Sequence, residues 1–237
     1  MDVRNDILTF ENDNIENLAL IPKTIERKKT ALRLEKFVKR AIDILGGFCG
    51  LLILIPLTIG IWIANKVCKD EGPIFYTQER IGKNGKIFRM YKYRSMVVGA
   101  DEKLKEYLEQ NEEAREEYKK YKKLKNDPRI TKIGKILRKT SLDEFPQFIN
   151  VLKGDMSLVG PRPYLLRERE EINGFFNYIT SCKPGITGLW QTSGRSDTTF
   201  TERLTLDMSY YYNHTLKTDL KILYKTMENV IKKKGAM

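Results

Sequence analysis

Residues 44–65, ILGGFCGLLILIPLTIGIWIAN, carry no charge over 22 positions. A straight helix of that length reaches roughly 33 Å at about 1.5 Å per residue, enough to span a bilayer core. Buried core helices seldom run so long without a polar stripe, so the segment directs the chain to a membrane. Pro56, near its middle, has no N–H, and its ring collides with the carbonyl of Leu52. It either kinks a spanning helix or turns a re-entrant hairpin whose arms of roughly 14 to 18 Å each reach about one leaflet. The 20 residues before Ile44 carry seven bases and the 20 after Asn65 carry four. The positive-inside rule permits a span with the N-terminus inside, while two basic flanks also suit a hairpin with both ends cytoplasmic. The residues alone leave both open.

The rest of the chain is not built for the bilayer. Its 237 residues fit one domain, or one with an appendage. A mean hydropathy of −0.46 excludes a polytopic membrane protein, and 41% apolar content excludes wholesale disorder. Lysine and arginine number 43 against 31 acids, a net charge of +12. Residues 1–21 hold five acids and one base, so this −4 segment precedes a body of +16. That body calls for an anionic partner: nucleic acid, anionic lipid or a phosphorylated substrate. Cys49, Cys68 and Cys182 form no CxxC and suit a reducing compartment. The single histidine, His214, excludes histidine-cluster metal chemistry and weakens any Ser-His or Cys-His triad. A bound metal should therefore be a hard one held by carboxylates. The acidic N-terminus lacks the basic region of a secretory signal.

Around the apolar segment the periodicities are clear. Residues 25–42 read as an amphipathic helix, with Ala31, Leu34, Phe37, Val38, Ala41 and Ile42 on one face. Bases that include Lys36, Lys39 and Arg40 lie opposite, a pattern suited to an anionic lipid surface. Residues 74–98 read as short strands with a turn at GKNG, 82–85. Residues 100–125 read as a charged, solvated helix ended by Asp127-Pro128. Near the C-terminus, Leu216, Leu220, Leu223, Met227, Val230 and Ile231 mark one face of a lysine-rich helix, either packed or membrane-surface.

The chemistry concentrates between Arg138 and Arg162. Ser141 followed by Glu144 has the spacing of a capping box, predicting a helix start at 141 or 142. Asp143 and Glu144 then lie in its first turn, where carboxylates are favoured merely by the helix dipole. The surroundings argue for more. Arg138 and Lys139 precede the pair, and Arg162 sits between two prolines that stiffen its backbone. Arginine grips phosphate bidentately, and a carboxylate among cations stays ionised, ready to serve as nucleophile or magnesium ligand.

Several stretches carry a resemblance: KRAIDILGG, PIFYTQERIG, YKYRSM, NDPRITKIGKILRKTSLDEFPQFINVLKGDMSLVGPRP, KPGITGLWQTSGR and LKTDLKILYKT, together spanning residues 36–227. The chain resembles the bacterial sugar transferases that begin glycan assembly on a lipid carrier, the monotopic phosphoglycosyl transferases. The resemblance implies a mixed α/β, mostly helical fold. It would have a re-entrant membrane helix hairpin broken at Pro56, interfacial amphipathic helices, and a small cytosolic catalytic domain with a short β-hairpin. It implies transfer of a phosphosugar from a UDP-sugar to undecaprenyl phosphate with Mg2+, at the cytoplasmic face of a bacterial inner membrane. Asp143 matches the nucleophile and Glu144 its partner, both candidate metal ligands; Arg138 and Arg162 match phosphate-binding positions. Lys92 and Arg94 of YKYRSM, with Gln191 and Arg195 of GLWQTSGR, are substrate-binding candidates, and that loop resembles members that transfer hexose 1-phosphates. One departure is visible: Ile55, not serine, precedes the proline, and Thr58 is the nearest hydroxyl.

The resulting organisation is an acidic, disordered tail over 1–22, an interfacial and re-entrant helix over 23–66, and a catalytic domain over 67–237. Anionic membrane lipid is an expected partner, nucleic acid is not, and a homo-oligomer is allowed. The competing readings are a membrane-tethered nucleic-acid module, drawn from the +16 and the aromatic-basic run 88–94, and a bitopic protein with an external domain. Dispersal of the bases over several segments argues against the first.

Overall fold

The structure, a computed structural model, describes residues 29–121, 124–193 and 198–232. The acidic tail, the start of the expected 25–42 helix and Arg195 lie outside the described residues.

The apolar segment forms the second half of one long helix, α1 (Lys29–Val67). Only 22% of its most apolar window is buried. One stripe, Asp43, Gly46, Gly47, Gly50, Leu54, Ile61 and Asn65, recurs at helical spacing and faces the body. Two glycines set the approach: a Cβ on Gly46 would lie 2.6 Å from Leu158, and one on Gly50 would lie 2.3 Å from the Phe148 ring. Asp43 fixes the register, accepting from Ser157 Oγ at 2.9 Å and the Leu158 N–H at 2.8 Å. The opposite face leaves Leu45, Phe48, Leu52, Ile55, Ile59 and Trp62 exposed, an apolar surface of the kind that marks a membrane or protein contact.

The N-terminal half of α1 reverses one expectation. Lys39 and Arg40 do not form an outer basic face. Lys39 Nζ donates to the Val159 carbonyl at 3.0 Å and to Asp219 at 2.5 Å. Arg40 donates to the carbonyls of Val151 and Leu152 at 2.7 and 2.9 Å, satisfying acceptors left over at the end of a short helix described below. Leu34 and Phe37 point outward instead, 64% and 72% exposed. The helical backbone also runs on through Pro56, where the resemblance led us to expect a break. Two hydroxyls gather on the turn before it: Thr58 Oγ1 and Tyr93 Oη donate to the Leu54 carbonyl at 2.7 and 3.2 Å. The sequence pointed to Thr58; Tyr93 arrives from a strand of the body.

That strand belongs to the expected hairpin, β1 (Phe75–Ile81) and β2 (Ile87–Tyr93), paired antiparallel from Phe75↔Tyr93 to Ile81↔Ile87. Asn84 and Gly85 in its turn take positive φ, which asparagine and glycine tolerate best. Residues 100–121 form two helices, α2 (Ala100–Gln110) and α3 (Glu112–Tyr121), where the charge pattern predicts one. Asn111 interrupts them: its Oδ1 accepts the Ala114 N–H at 3.1 Å and starts α3. Leu104, Ala114 and Leu124 then share a small core, so this is a packed pair of helices and not a wholly solvated face.

The remaining body is mostly helical: α4 (Lys132–Thr140), α5 (Gln147–Lys153), α6 (Phe176–Ser181), α7 (Leu189–Ser193), α8 (Phe200–Asn213) and α9 (Leu216–Ile231). A parallel pair, β3 (Ser157–Val159) and β4 (Gly185–Thr187), crosses its centre. The main core gathers Met90, Val151, Met156, Val159, Tyr210 and Ile222. In α9 the expected single apolar face is divided: Ile222 and Leu223 pack inward, while Leu220, Met227 and Val230 stay exposed. Asp219 rotates the helix this way, since it is buried to meet Lys39 and the Tyr210 hydroxyl.

Candidate active site

Asp143 and Glu144 lie in a 3-10 turn, Leu142–Glu144, between α4 and α5. The expected capping box does not form. Ser141 takes a left-handed conformation (φ 57°) and ends α4 through its N–H to the Arg138 carbonyl at 3.1 Å, and its side chain makes no cap. Glu144 reaches away to Lys92 on β2 at 2.9 Å. Pro146 then precedes the first turn of α5.

This placement gives two adjacent carboxylates unlike environments. Burial pushes Asp143 up to about 6; Lys92 and Arg138 oppose that, and Glu144 adds to it. Burial also acts on Glu144, but the charge and hydrogen bond of Lys92, then Arg162 and Arg80, hold its carboxyl below the ordinary value. Neighbouring acids with diverging proton affinities suit a division of roles.

Three arginines approach from separate elements. Arg162 follows β3; its N–H donates to Asp207 Oδ2 at 3.1 Å, and its guanidinium lies over the Trp190 ring at 5.5 Å. Arg203, on α8, lies over Trp190 at 5.2 Å. Arg80, at the end of β1, donates to the Pro163 carbonyl at 2.9 Å and to Gln78 at 2.6 Å. Burial, then the charge of Arg162, lowers the Arg80 pKa to about 9. Neither Arg80 nor Arg162 has a carboxylate ion pair among the described residues, and the Nε of each is buried without a hydrogen-bond partner. Trp190 Nε1 is in the same condition. Unpaired buried donors are costly, and these three lie about one cleft, open to an acceptor from outside.

The sequence candidates divide on this geometry. Lys92, Glu144, Arg162 and Gln191 line one cleft together with Arg80 and Trp190. Arg138 stands behind the acids, its Nε donating to Ser95 Oγ at 3.0 Å. Arg94 is elsewhere. Its guanidinium donates to the Pro73 and Met96 carbonyls and to Asp70, and it lines a different cavity.

Arg80, Trp190, Arg203 and Asp207 were not singled out from the sequence. Asp207 is fully buried, accepts from the Tyr164 hydroxyl at 2.8 Å as well as from Arg162, and is pushed up to about 7 by burial. Arg80 and Trp190 carried a signal, since QERIG and GLWQTSGR belong to the matching segments; Arg203 and Asp207 carried none.

Gly134 sets the spacing behind the acids. A Cβ there would lie 2.0 Å from the Ser95 carbonyl oxygen, a backbone atom with little room to yield. Gly134→Ala should push α4, and Arg138 with it, off the end of β2. We expect a loss of about 1–3 kcal/mol in denaturant unfolding and a fall in activity out of proportion to the folded fraction. Unchanged stability and activity would contradict the packing described.

The chain matches the family model described as bacterial sugar transferase over residues 34–233. It is 49% identical over 206 residues to the undecaprenyl-phosphate galactose phosphotransferase of Salmonella typhimurium, covering 87% of this chain and 43% of that protein. It is 34% identical over 233 residues to the UDP-glucose:undecaprenyl-phosphate glucose-1-phosphate transferase of Escherichia coli, covering 94% of this chain and 47% of that protein. With the exopolysaccharide production protein ExoY of Rhizobium meliloti it shares 41% identity over 198 residues, 84% of this chain and 87% of that protein. The chain thus spans less than half the length of the first two relatives and most of the third. A match this extensive, over the segments that form the acid pair and the arginine cleft, places the chain in the bacterial sugar transferase family.

Proposed function

We propose that the chain transfers a hexose 1-phosphate from a UDP-hexose to undecaprenyl phosphate and releases UMP, an opening step of exopolysaccharide or capsule assembly. One observation carries this reading: a carboxylate pair beside a cleft lined by the buried Arg80 and half-buried Arg162, which have no ion pair among the described residues. Such a cleft suits a substrate that brings several negative charges.

In the first half-reaction the Asp143 carboxylate oxygen attacks the sugar-linked phosphorus. An oxygen–phosphorus bond forms, the phosphoanhydride bond breaks, and UMP leaves with its electron pair. Free N–H groups of Arg80 and Arg162 are available to the phosphate oxygens. In the second, an oxygen of undecaprenyl phosphate attacks the phosphorus held on Asp143 and regenerates the carboxylate. Glu144, kept ionised by Lys92, takes any proton the acceptor phosphate still carries.

Asp143 and Glu144 are hard oxygen donors that crowd like charges together, a set that fits magnesium. That ion is usually bound through one or two carboxylates, with substrate phosphates and water completing its shell. Bound there, magnesium would neutralise charge developing on the transferred phosphoryl group.

The exposed face of α1 is assigned to the cytoplasmic leaflet of the bacterial inner membrane, with both ends of the helix on the cytoplasmic side. In support, residues on both sides of Pro56, Asp43 on one and Ile61 and Asn65 on the other, are buried against the same body. A crossing helix would carry one of these stretches to the far side.

The hexose preference draws on the GLWQTSGR loop and on relatives named for galactose and glucose transfer. UMP release from a panel of UDP-sugars, with magnesium and the full chain in membranes, tests it. Turnover of UDP-glucose or UDP-galactose is expected. Turnover of N-acetylated donors alone would overturn the hexose assignment, and no turnover of any donor would overturn the transfer itself.

A further inference from the structure

A cavity of about 300 Å3 lies apart from the acid pair, where α1 ends and α4 begins. Its walls combine charge with apolar surface. Lys69 and Lys132 line it, and neither has an ion pair among the described residues. The one acid in the wall, Asp70, is already neutralised by Arg94 Nη2 at 2.6 Å. Arg94 also donates to the Pro73 and Met96 carbonyls, so these bonds and the Asp70 pair hold it in the wall. The cavity therefore carries a net charge of two lysines.

Val97, Val98 and Ile133 supply its apolar wall, and Cys68 and Thr131 complete the lining. Val98 in the lining is 74% exposed, and Val67, the neighbour of Cys68 and last residue of α1, is 77% exposed. Val67 continues the outer apolar face of α1 directly to the cavity mouth. An occupant must be anionic at one end and apolar at the other, and must come from the side where α1 exposes its apolar residues.

The geometry points to this cavity as a binding site for the headgroup of an anionic phospholipid. The phosphate diester would sit between Lys69 and Lys132, with the acyl chains running along Val67 and Val98. The site rests on the reading that the outer face of α1 lies in a bilayer. It takes no part in the transfer chemistry, because Asp143 and Glu144 do not line it. Its volume falls at the lower end of small-ligand sites.

Cys68 lines the cavity and is exposed, which supplies a reporter. In the full chain, purified in detergent and carrying Cys49→Ala and Cys182→Ala, Cys68 is the only thiol left. Its maleimide alkylation rate is measured with dioctanoyl phosphatidylglycerol, dioctanoyl phosphatidylcholine, inorganic phosphate or undecaprenyl phosphate. Phosphatidylglycerol should protect at concentrations roughly tenfold or more below phosphatidylcholine, since each base near an anionic headgroup adds attraction. Inorganic phosphate should give no protection. Lys69→Glu with Lys132→Glu should abolish the preference, and Lys69→Arg with Lys132→Arg should keep it.

Equal protection by the two phospholipids, protection by inorganic phosphate, protection by undecaprenyl phosphate alone, no protection at all, or a preference that survives charge reversal would each overturn the assignment. Flotation of the same protein with mixed phosphatidylcholine–phosphatidylglycerol vesicles separates the two levels. Failure to float removes the membrane reading of α1, whereas flotation with unprotected Cys68 removes only the cavity site.

Discussion

Asp143→Asn is expected to lower UMP release from a UDP-hexose by about 10^4- to 10^6-fold, the scale seen when an acting nucleophile or its essential partner is removed. The amide has nearly the shape of the carboxylate but no anionic oxygen to form the bond to phosphorus. Folding should survive the change. Burial raises the Asp143 pKa to about 6, so the fold favours the protonated acid. For an acid shifted upward, the stability it contributes is complete below the unfolded value and is lost as pH rises through the folded value. Above pH 6 the native carboxylate is therefore a burden that the neutral amide lacks. Asp143→Asn should unfold at no lower denaturant concentration than the parent at pH 7.5. Steady-state UMP release together with a denaturant titration checks both halves; near-normal release in the folded variant would remove Asp143 from the chemistry.

The second large effect is expected at the arginines. Arg80→Ala and Arg162→Ala should each reduce kcat/KM for UDP-hexose by about 10^2- to 10^3-fold, as when a preorganised donor is taken from a developing anion. The double variant should lose less than the product of the two, because the groups share one cleft and the charge of Arg162 bears on Arg80. Arg80→Lys should not restore activity, since a point charge cannot serve Pro163, Gln78 and a substrate oxygen as a planar fork does. Initial rates over a range of donor concentrations decide this. A change confined to stability, with kcat/KM intact, would mean that Arg80 only braces the Pro163 turn.

The sequence made the location of this chemistry visible but not its construction. The hairpin was readable because strand alternation and the GKNG turn agree, and nothing else competes for those residues. Asp143 and Glu144 stood out by their cationic surroundings, yet their local structure differed from the spacing rule. Ser141 could cap a following helix with its side chain or end the preceding one in a left-handed conformation, and the close of α4 takes the second course. A pattern of side-chain types does not encode that choice.

Lys39 and Arg40 were misread for a related reason. A helical wheel separates apolar from charged residues but cannot tell which side meets protein. Carbonyls at the end of α5 and the buried Asp219 drew those bases inward. Arg80 and Asp207 were out of reach because β1 and α8 bring them to Arg162 from distant parts of the chain. Only folding reveals that Arg80 and Arg162 share one cleft with no ion pair among the described residues.

The covalent step is the central claim, and labelling tests it directly. The full chain is incubated in membranes with magnesium and a UDP-hexose labelled in its sugar-linked phosphate, without undecaprenyl phosphate, then quenched and digested. Label is expected, as a hexose phosphate, on the peptide that contains Asp143. That label should disappear when undecaprenyl phosphate is added before the quench and should be absent from Asp143→Asn. UMP formed only when undecaprenyl phosphate is present, with no label on that peptide at any time, would mean direct transfer between the two substrates and would contradict the account.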